Sequence, residues 1–259
     1  MSTIDVSFDE GLIQVQLNRP DRLNAISPDL AEELVERVVP LGEHPDARVL
    51  VVSGAGRAFC AGADVAAATG NGDLSVADSI AAHARMQQAL DSFAAMPVVK
   101  IAQVHGHCVG AGLVLASMCE LRIAAADAKF SIPELAFGIP FSMGGLPRIV
   151  RLIGLTKTAD LVLTGRRMEA QEGLQAGLVT EVVGDLGDLS DVVSRQAKMI
   201  ARHPRFLIRE TVARLAEAGR DLLDGSRSDL SSLVLATLDS ESRAVMDGYA
   251  DKVLKRSMT

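Results

Sequence analysis

The chain has 259 residues, which suits one large domain or one domain with an appendage. Hydrophobic residues make up 48% and charged residues 23%, so a sizeable core can be buried and the composition speaks against disorder. The net charge of −7, with no cluster of basic residues, speaks against nucleic acid as a partner.

Asp5, Asp9 and Glu10 stand near the start with no apolar block behind a basic segment, so no signal peptide is expected. No apolar run approaches the ~18 residues of a membrane span, and the expectation is a soluble, cytoplasmic protein with no membrane partner. Cys60, Cys108 and Cys119 are odd in number, widely spaced and without a CxxC pair. Buried free thiols in a reducing compartment fit them better than a disulfide framework or a zinc site. With no Trp and one Tyr, the packing has to rest on small and β-branched side chains.

In chain order, Ile4 to Phe8 and Leu12 to Leu17 alternate apolar and polar residues around Asp-Glu-Gly, the pattern of a β-hairpin. Asn18-Arg19-Pro20 ends the second strand. Ser27-Pro28 then starts a helix running to about Leu41, with Leu30, Leu34 and Val38 at helical spacing. Arg48 to Ser53 is a short β-branched run, a buried strand that leads into the glycine-containing loop 54–64. Residues 66–75 form a loop centred on Gly70-Asn71-Gly72, followed by a long helix from about Val76 to Met96. Val98 to Val104 is a second buried strand. A glycine turn from Gly106 to Gly112, a compact helix from about Leu113 to Cys119 and a short strand from Leu121 to Ala124 follow it. Helices at 146–153 and 156–163, a helical turn at 171–177 and a last strand at 178–183 complete this half. Beyond a shift near Gly184 the periodicity is helical, near 189–201, 204–219 and 227–254.

Strands alternating with helices imply βαβ units and largely parallel strands, in which ligands bind where loops leave the strands' carboxyl ends. Both glycine loops, 54–64 and 105–112, sit there. A glycine turn entering a helix brings backbone N–H groups close to a ligand. Glu134 stands among Ile132, Leu135, Ala136 and Phe137, and a carboxylate in apolar surroundings has a raised pKa and can carry a proton. Amide donors plus one proton carrier suit chemistry that passes through an enolate. The glycines at 106–112 do not fit GxGxxG, and GK[ST] and GxSxG are both missing. His105 and His107 can line a cleft but lack further metal-ligand spacing, and no metal is expected. Glu120 and Asp127, flanking a short strand, are read as structural, and Asp64 as a loop cap.

Taken together, LNRPDRLNAIS at 17–27, SGAGRAFCAGAD at 53–64, HGHCVGAGLVLASMCELRIA at 105–124, PELAFGI at 133–139 and LTGRRMEAQEGLQAGLV at 163–179 resemble the crotonase superfamily, the enoyl-CoA hydratase/isomerase family. The resemblance implies an α/β fold. Residues 1–184 would form a crotonase-like ββα spiral core, and 185–259 a helical region that mediates trimers or dimers of trimers and covers the active site. It implies an acyl-CoA substrate, with coenzyme A part of that substrate and no separate cofactor. The thioester carbonyl would lie in an oxyanion hole made by the N–H groups of Ala63 and Ala111. Coenzyme A contacts would come from Arg22, Leu23, Ala61, Asp64, Val65, Tyr249 and Lys252, although Asp21 stands where hydratases often carry a basic residue.

Val114, Phe137, Phe141 and Met143 would line the acyl pocket. Hydratases resembling this chain carry two glutamates, and the first of the two positions is Val114 here while the second is Glu134. One base suffices to move a double bond, so isomerisation with Glu134 as sole proton carrier is the leading expectation. The alternatives are hydration or other enolate chemistry, such as decarboxylation, using Cys108, His107 or a group on the 66–75 loop, and a non-catalytic acyl-CoA-binding homologue.

Overall fold

The computed structural model describes residues 2–64, 75–219, 238–240 and 243–248. β1 (Ile4–Asp9) and β2 (Leu12–Leu17) pair antiparallel as the expected hairpin. Glu10 and Gly11, at φ 46° and 82°, supply the two left-handed residues that a tight two-residue turn requires. β2 then runs parallel to β3 (Val49–Gly54), followed across the sheet by β5 (Val99–Val104), β7 (Leu121–Ala125) and β10 (Glu181–Val183). One face of this six-stranded sheet carries Val15, Leu17, Leu50, Val52, Ala102 and Val104 into the main core. The other presents Val49, Ile101 and Ile123 to Leu189, Val193 and Ala197 of helix α6 (Leu186–Ala201).

Ser27 caps α1 (Pro28–Glu33), its hydroxyl accepting the Leu30 N–H at 3.2 Å. The helix does not run regularly to 41 as its spacing predicts. Pro40 has no N–H to continue the ladder, and the chain loosens into a π turn over Leu34–Val38 and tightens into a 3-10 turn over Val39–Glu43. α2 (Val76–Ala94) and α3 (Ala111–Ser117) flank β5 in the chain. α4 (Gly145–Thr164) is broken at Gly154 (φ 76°, ψ 161°), which makes it the two predicted helices in one element. α5 (Ala170–Ala176), α6 and α7 (Arg205–Ala218) follow. Most of the helix predicted over 227–254 lies outside the described residues.

A second sheet, formed by β4 (Ala58–Cys60), β6 (His107–Val109), β8 (Lys129–Ser131) and β9 (Met168–Glu169), has no counterpart in the sequence pattern. The expected glycine turn over 106–112 is therefore interrupted by a strand, and the helix after it begins at Ala111 rather than Leu113. The early start depends on Gly112, where a Cβ would come within 2.4 Å of the Cys60 carbonyl oxygen. The three thiols are free and buried, and burial pushes those of Cys60 and Cys119 up to about 12. Among the described residues, no helix is long and apolar enough to cross a membrane.

Candidate active site

The parallel strands of the main sheet deliver their carboxyl ends to one edge, and the short second sheet caps that edge. Two loops are laced together there. Ala61 N donates to Leu23 O (2.9 Å), Ile26 N to Gly62 O (2.8 Å) and Asp64 N to Ile26 O (2.9 Å). This parallel bridge uses the N–H and C=O of Ile26, so the N–H of Ala63 faces the other way. Asp64 also receives Arg19 Nη2 at 2.7 Å, an ion pair whose side chains are only 19% and 10% exposed. Asn24 bonds the Ala55 and Ala58 carbonyls at 2.8 and 2.7 Å, anchoring the same corner from below.

Gly62, at φ 112°, packs against the second loop: a Cβ there would lie 3.3 Å from Val109 O and 3.9 Å from Ala111 N. Ala111 is the first residue of α3, where backbone N–H groups have no intrahelical acceptor. Neither the Ala63 nor the Ala111 N–H donates to an acceptor among the described residues. The two amides suggested by the resemblance are thus brought to one corner, both with donor capacity to spare.

Glu134 begins a 3-10 turn (Glu134–Phe137) that follows β8. Its carboxyl lies against the start of α3, since a Cβ on Gly110 would stand 2.4 Å from Oε1. The other oxygen, Oε2, is buried and has no hydrogen-bond partner among the described residues. Desolvation raises its pKa from 4.5 to about 7, only partly opposed by the bond from its own backbone N–H. The carboxyl therefore keeps its proton to a higher pH than an exposed glutamate does, and it touches Gly110, the neighbour of Ala111.

The other residues singled out in the sequence divide into groups. Arg22 is exposed, while Leu23 and Ala61 are half-buried and share a backbone bond; with Asp64 they gather at the laced loops. Val65, Tyr249 and Lys252 lie outside the described residues. Val114 and Phe141 are buried, and Phe137 and Met143 half-buried, Met143 at φ 59°. His105 is tied through Nε2 to the Gly56 carbonyl (2.9 Å), a brace for the 54–57 turn. Asp127 accepts from the Gly106 N–H (3.2 Å), in keeping with its structural reading. Among the described residues no three metal-ligating side chains come together.

Sequence reasoning overlooked Arg19, took Gly110 only as part of the glycine turn, and overlooked Gly145. The run Gly144-Gly145 after Met143 was the available signal for the last, and the basic residue before Pro20 for the first. Gly145 leaves room for two neighbours: a Cβ there would meet Phe141 Cζ at 2.5 Å and Val114 Cγ2 at 2.8 Å.

Residues 7–254 match the model of a family described as enoyl-CoA hydratase/isomerase. The chain is 39% identical over 181 residues to a probable enoyl-CoA hydratase, echA8, of Mycobacterium bovis, covering 70% of this chain and 68% of that one. It is 31% identical to the peroxisomal Delta(3,5)-Delta(2,4)-dienoyl-CoA isomerase of Arabidopsis thaliana, covering 77% and 75%. The crystal structure of an enoyl-CoA hydratase/isomerase from Mycobacterium paratuberculosis superposes with a TM-score of 0.83 at 26% identity, covering 96% of this chain and 98% of that one.

Proposed function

The chain belongs to the enoyl-CoA hydratase/isomerase family, and from that premise we propose that it shifts a double bond within an acyl-CoA thioester, with Glu134 as its single proton carrier. The observation that carries this reading is a buried carboxyl with one free oxygen beside two spare backbone amides, while the position of a second acid is Val114. The thioester oxygen would accept from the Ala63 and Ala111 N–H groups. Ionised Glu134 would take a proton from the carbon between the thioester and a β,γ double bond. The electron pair moves toward the thioester oxygen, and the two amides stabilise the resulting dienolate; one such donor is worth roughly 2.7–4 kcal/mol. The same carboxyl then returns the proton to the γ carbon, leaving the α,β-unsaturated thioester and no net change in protons. Coenzyme A would be held by Arg22, Leu23, Ala61 and Asp64 from the laced loops, with Val65, Tyr249 and Lys252 as further contacts.

The mycobacterial relative is named a hydratase and the plant relative an isomerase, so names alone do not choose between the reactions. Hydration needs a water to be activated and a proton delivered to the adjacent carbon, and Val114 has no acid to share that work. Cys108 is a poor substitute: it is fully buried, and burial together with the neighbouring thiols raises its pKa well above the ordinary value.

The test follows the ultraviolet absorbance of the conjugated thioester as a β,γ-unsaturated acyl-CoA is converted. Wild type should generate it and Glu134→Gln should lose ~10²–10⁴ of the rate. Robust hydration of crotonyl-CoA that survives Glu134→Gln would sink the mechanism. Tight binding of acyl-CoA with no exchange of its α-protons would instead favour a non-catalytic role.

A further inference from the structure

Val114, Phe141 and Gly145 come together one helical turn along α3 from the glycine that the Glu134 carboxyl touches. Val114 N donates to the Gly110 carbonyl (3.0 Å), which puts Val114 one helical turn from the glycine that touches Glu134. A helical Cβ leans toward the helix N-terminus, so the Val114 side chain leans to the end where Glu134 sits. Phe141 is reached from Glu134 through a tight turn in which Ile139 N donates to Glu134 O (3.1 Å). The Phe141 ring and the Val114 methyl then converge on the bare Cα of Gly145, and the two side chains are only 6% and 1% exposed.

We propose that Phe141, seated by Gly145 against Val114, is a specificity-determining residue whose ring takes the space that a reacting water and a second carboxylate would need. The proposal rests on the reading of Glu134 as the proton carrier, and it assigns the choice between proton shuttling and hydration to a packed ring as well as to a missing acid. Excluding water preserves the carbanionic intermediate for return of its proton. A dry site beside the carboxyl agrees with the burial that raises the Glu134 pKa. A longer side chain at Val114 alone would compete with the Phe141 ring for the space over Gly145.

The experiment compares wild type, Phe141→Ala, Phe141→Leu, Val114→Glu and the double variant Val114→Glu/Phe141→Ala by two measurements. One is the ratio of hydration of a 2-enoyl-CoA to isomerisation of a 3-enoyl-CoA. The other needs no substrate: the pH at which the Glu134 carboxyl ionises, from infrared differences between each protein and its Glu134→Gln counterpart. Phe141→Ala should raise the ratio about tenfold or more and lower the ionisation of Glu134 toward the ordinary 4.5, with Phe141→Leu between. The double variant should hydrate faster still, while Val114→Glu alone should not. A folded Phe141→Ala with both readouts unmoved overturns the proposal, as does Val114→Glu hydrating as fast as the double variant. If wild type lacks Glu134-dependent isomerisation, the functional reading fails, and the infrared arm alone decides whether Phe141 dries the carboxyl. If Phe141→Ala does not fold, Phe141→Leu decides by the same two measurements.

Discussion

Lys100 and Glu134 are both ionisable groups held away from water, and the protein treats them in opposite ways. The Lys100 side chain is fully buried, yet its ammonium meets Glu120 Oε1 at 3.1 Å, Met96 O at 3.2 Å and Val98 O at 3.3 Å. Every ammonium proton there has an acceptor, at the end of the sheet where β5 begins. Glu134 lies past the opposite end, with Oε2 buried and, among the described residues, no partner and no cation bonded to it. A satisfied charge adds rigidity, whereas an unsatisfied one is held at a cost and keeps its capacity for a proton. The difference separates an ion that builds the fold from one that can react.

Substitutions at the two sites should therefore change stability in opposite directions. The largest effect is expected from Lys100→Met, which takes the ammonium from Glu120 Oε1 and two carbonyls while Glu120 Oε2 keeps the N–H of residue 100, and should destabilise by roughly 3–5 kcal/mol in urea unfolding. A loss below about 1 kcal/mol would break the contrast, since it would match an ordinary surface pair.

Glu134→Gln should stabilise at alkaline pH. The folded pKa of about 7 exceeds the ordinary 4.5, so between those values the folded chain holds a proton that the unfolded chain releases. Stability contributed by this group is complete below pH 4.5 and is lost as pH rises to about 7, a change of about 3 kcal/mol. Melting temperatures of wild type and Glu134→Gln should therefore converge near pH 3.5 and separate near pH 8, roughly one unit outside either end of that window. The proposed isomerisation should show the complementary profile in kcat/KM, falling about tenfold per pH unit below about 7. A profile flat down to pH 5 would remove Glu134 as the base.

Gly110→Ala introduces a Cβ 2.4 Å from Glu134 Oε1 at a φ of 51°. The strained backbone should cost about 1–3 kcal/mol, and the displaced carboxyl should lower kcat more than it raises KM. Arg19→Met should have the smallest effect, roughly 1 kcal/mol, read as a several-fold rise in KM for the thioester once the ion pair with Asp64 is lost. An unchanged KM would detach the laced loops from coenzyme A binding.

Much of the fold was legible in local pattern. Period-two alternation marked β1 and β2, β-branched runs marked β3 and β5, and Ser27-Pro28 marked the start of α1. The apolar flanks of Glu134 foretold a desolvated carboxyl, and the alternation of strands and helices foretold the parallel strands whose carboxyl ends carry the glycine loops. These signals survive because burial repeats with the period of the element that carries it.

The second sheet was not legible, because strands of two or three residues are too short to display a period and exist only by pairing across the chain. Nor were the lacing of residues 23–26 to 61–64, the ion pair of Arg19 with Asp64, the approach of Gly110 to Glu134, or the meeting of Phe141 and Val114 over Gly145. Each joins positions whose separation in sequence carries no local signal. Sequence alone thus determined which segments become strands and helices and which carboxyl is starved of water. Only tertiary packing decided that Gly110 bears on that carboxyl and that Phe141 and Val114 meet over Gly145, because each contact joins separate elements.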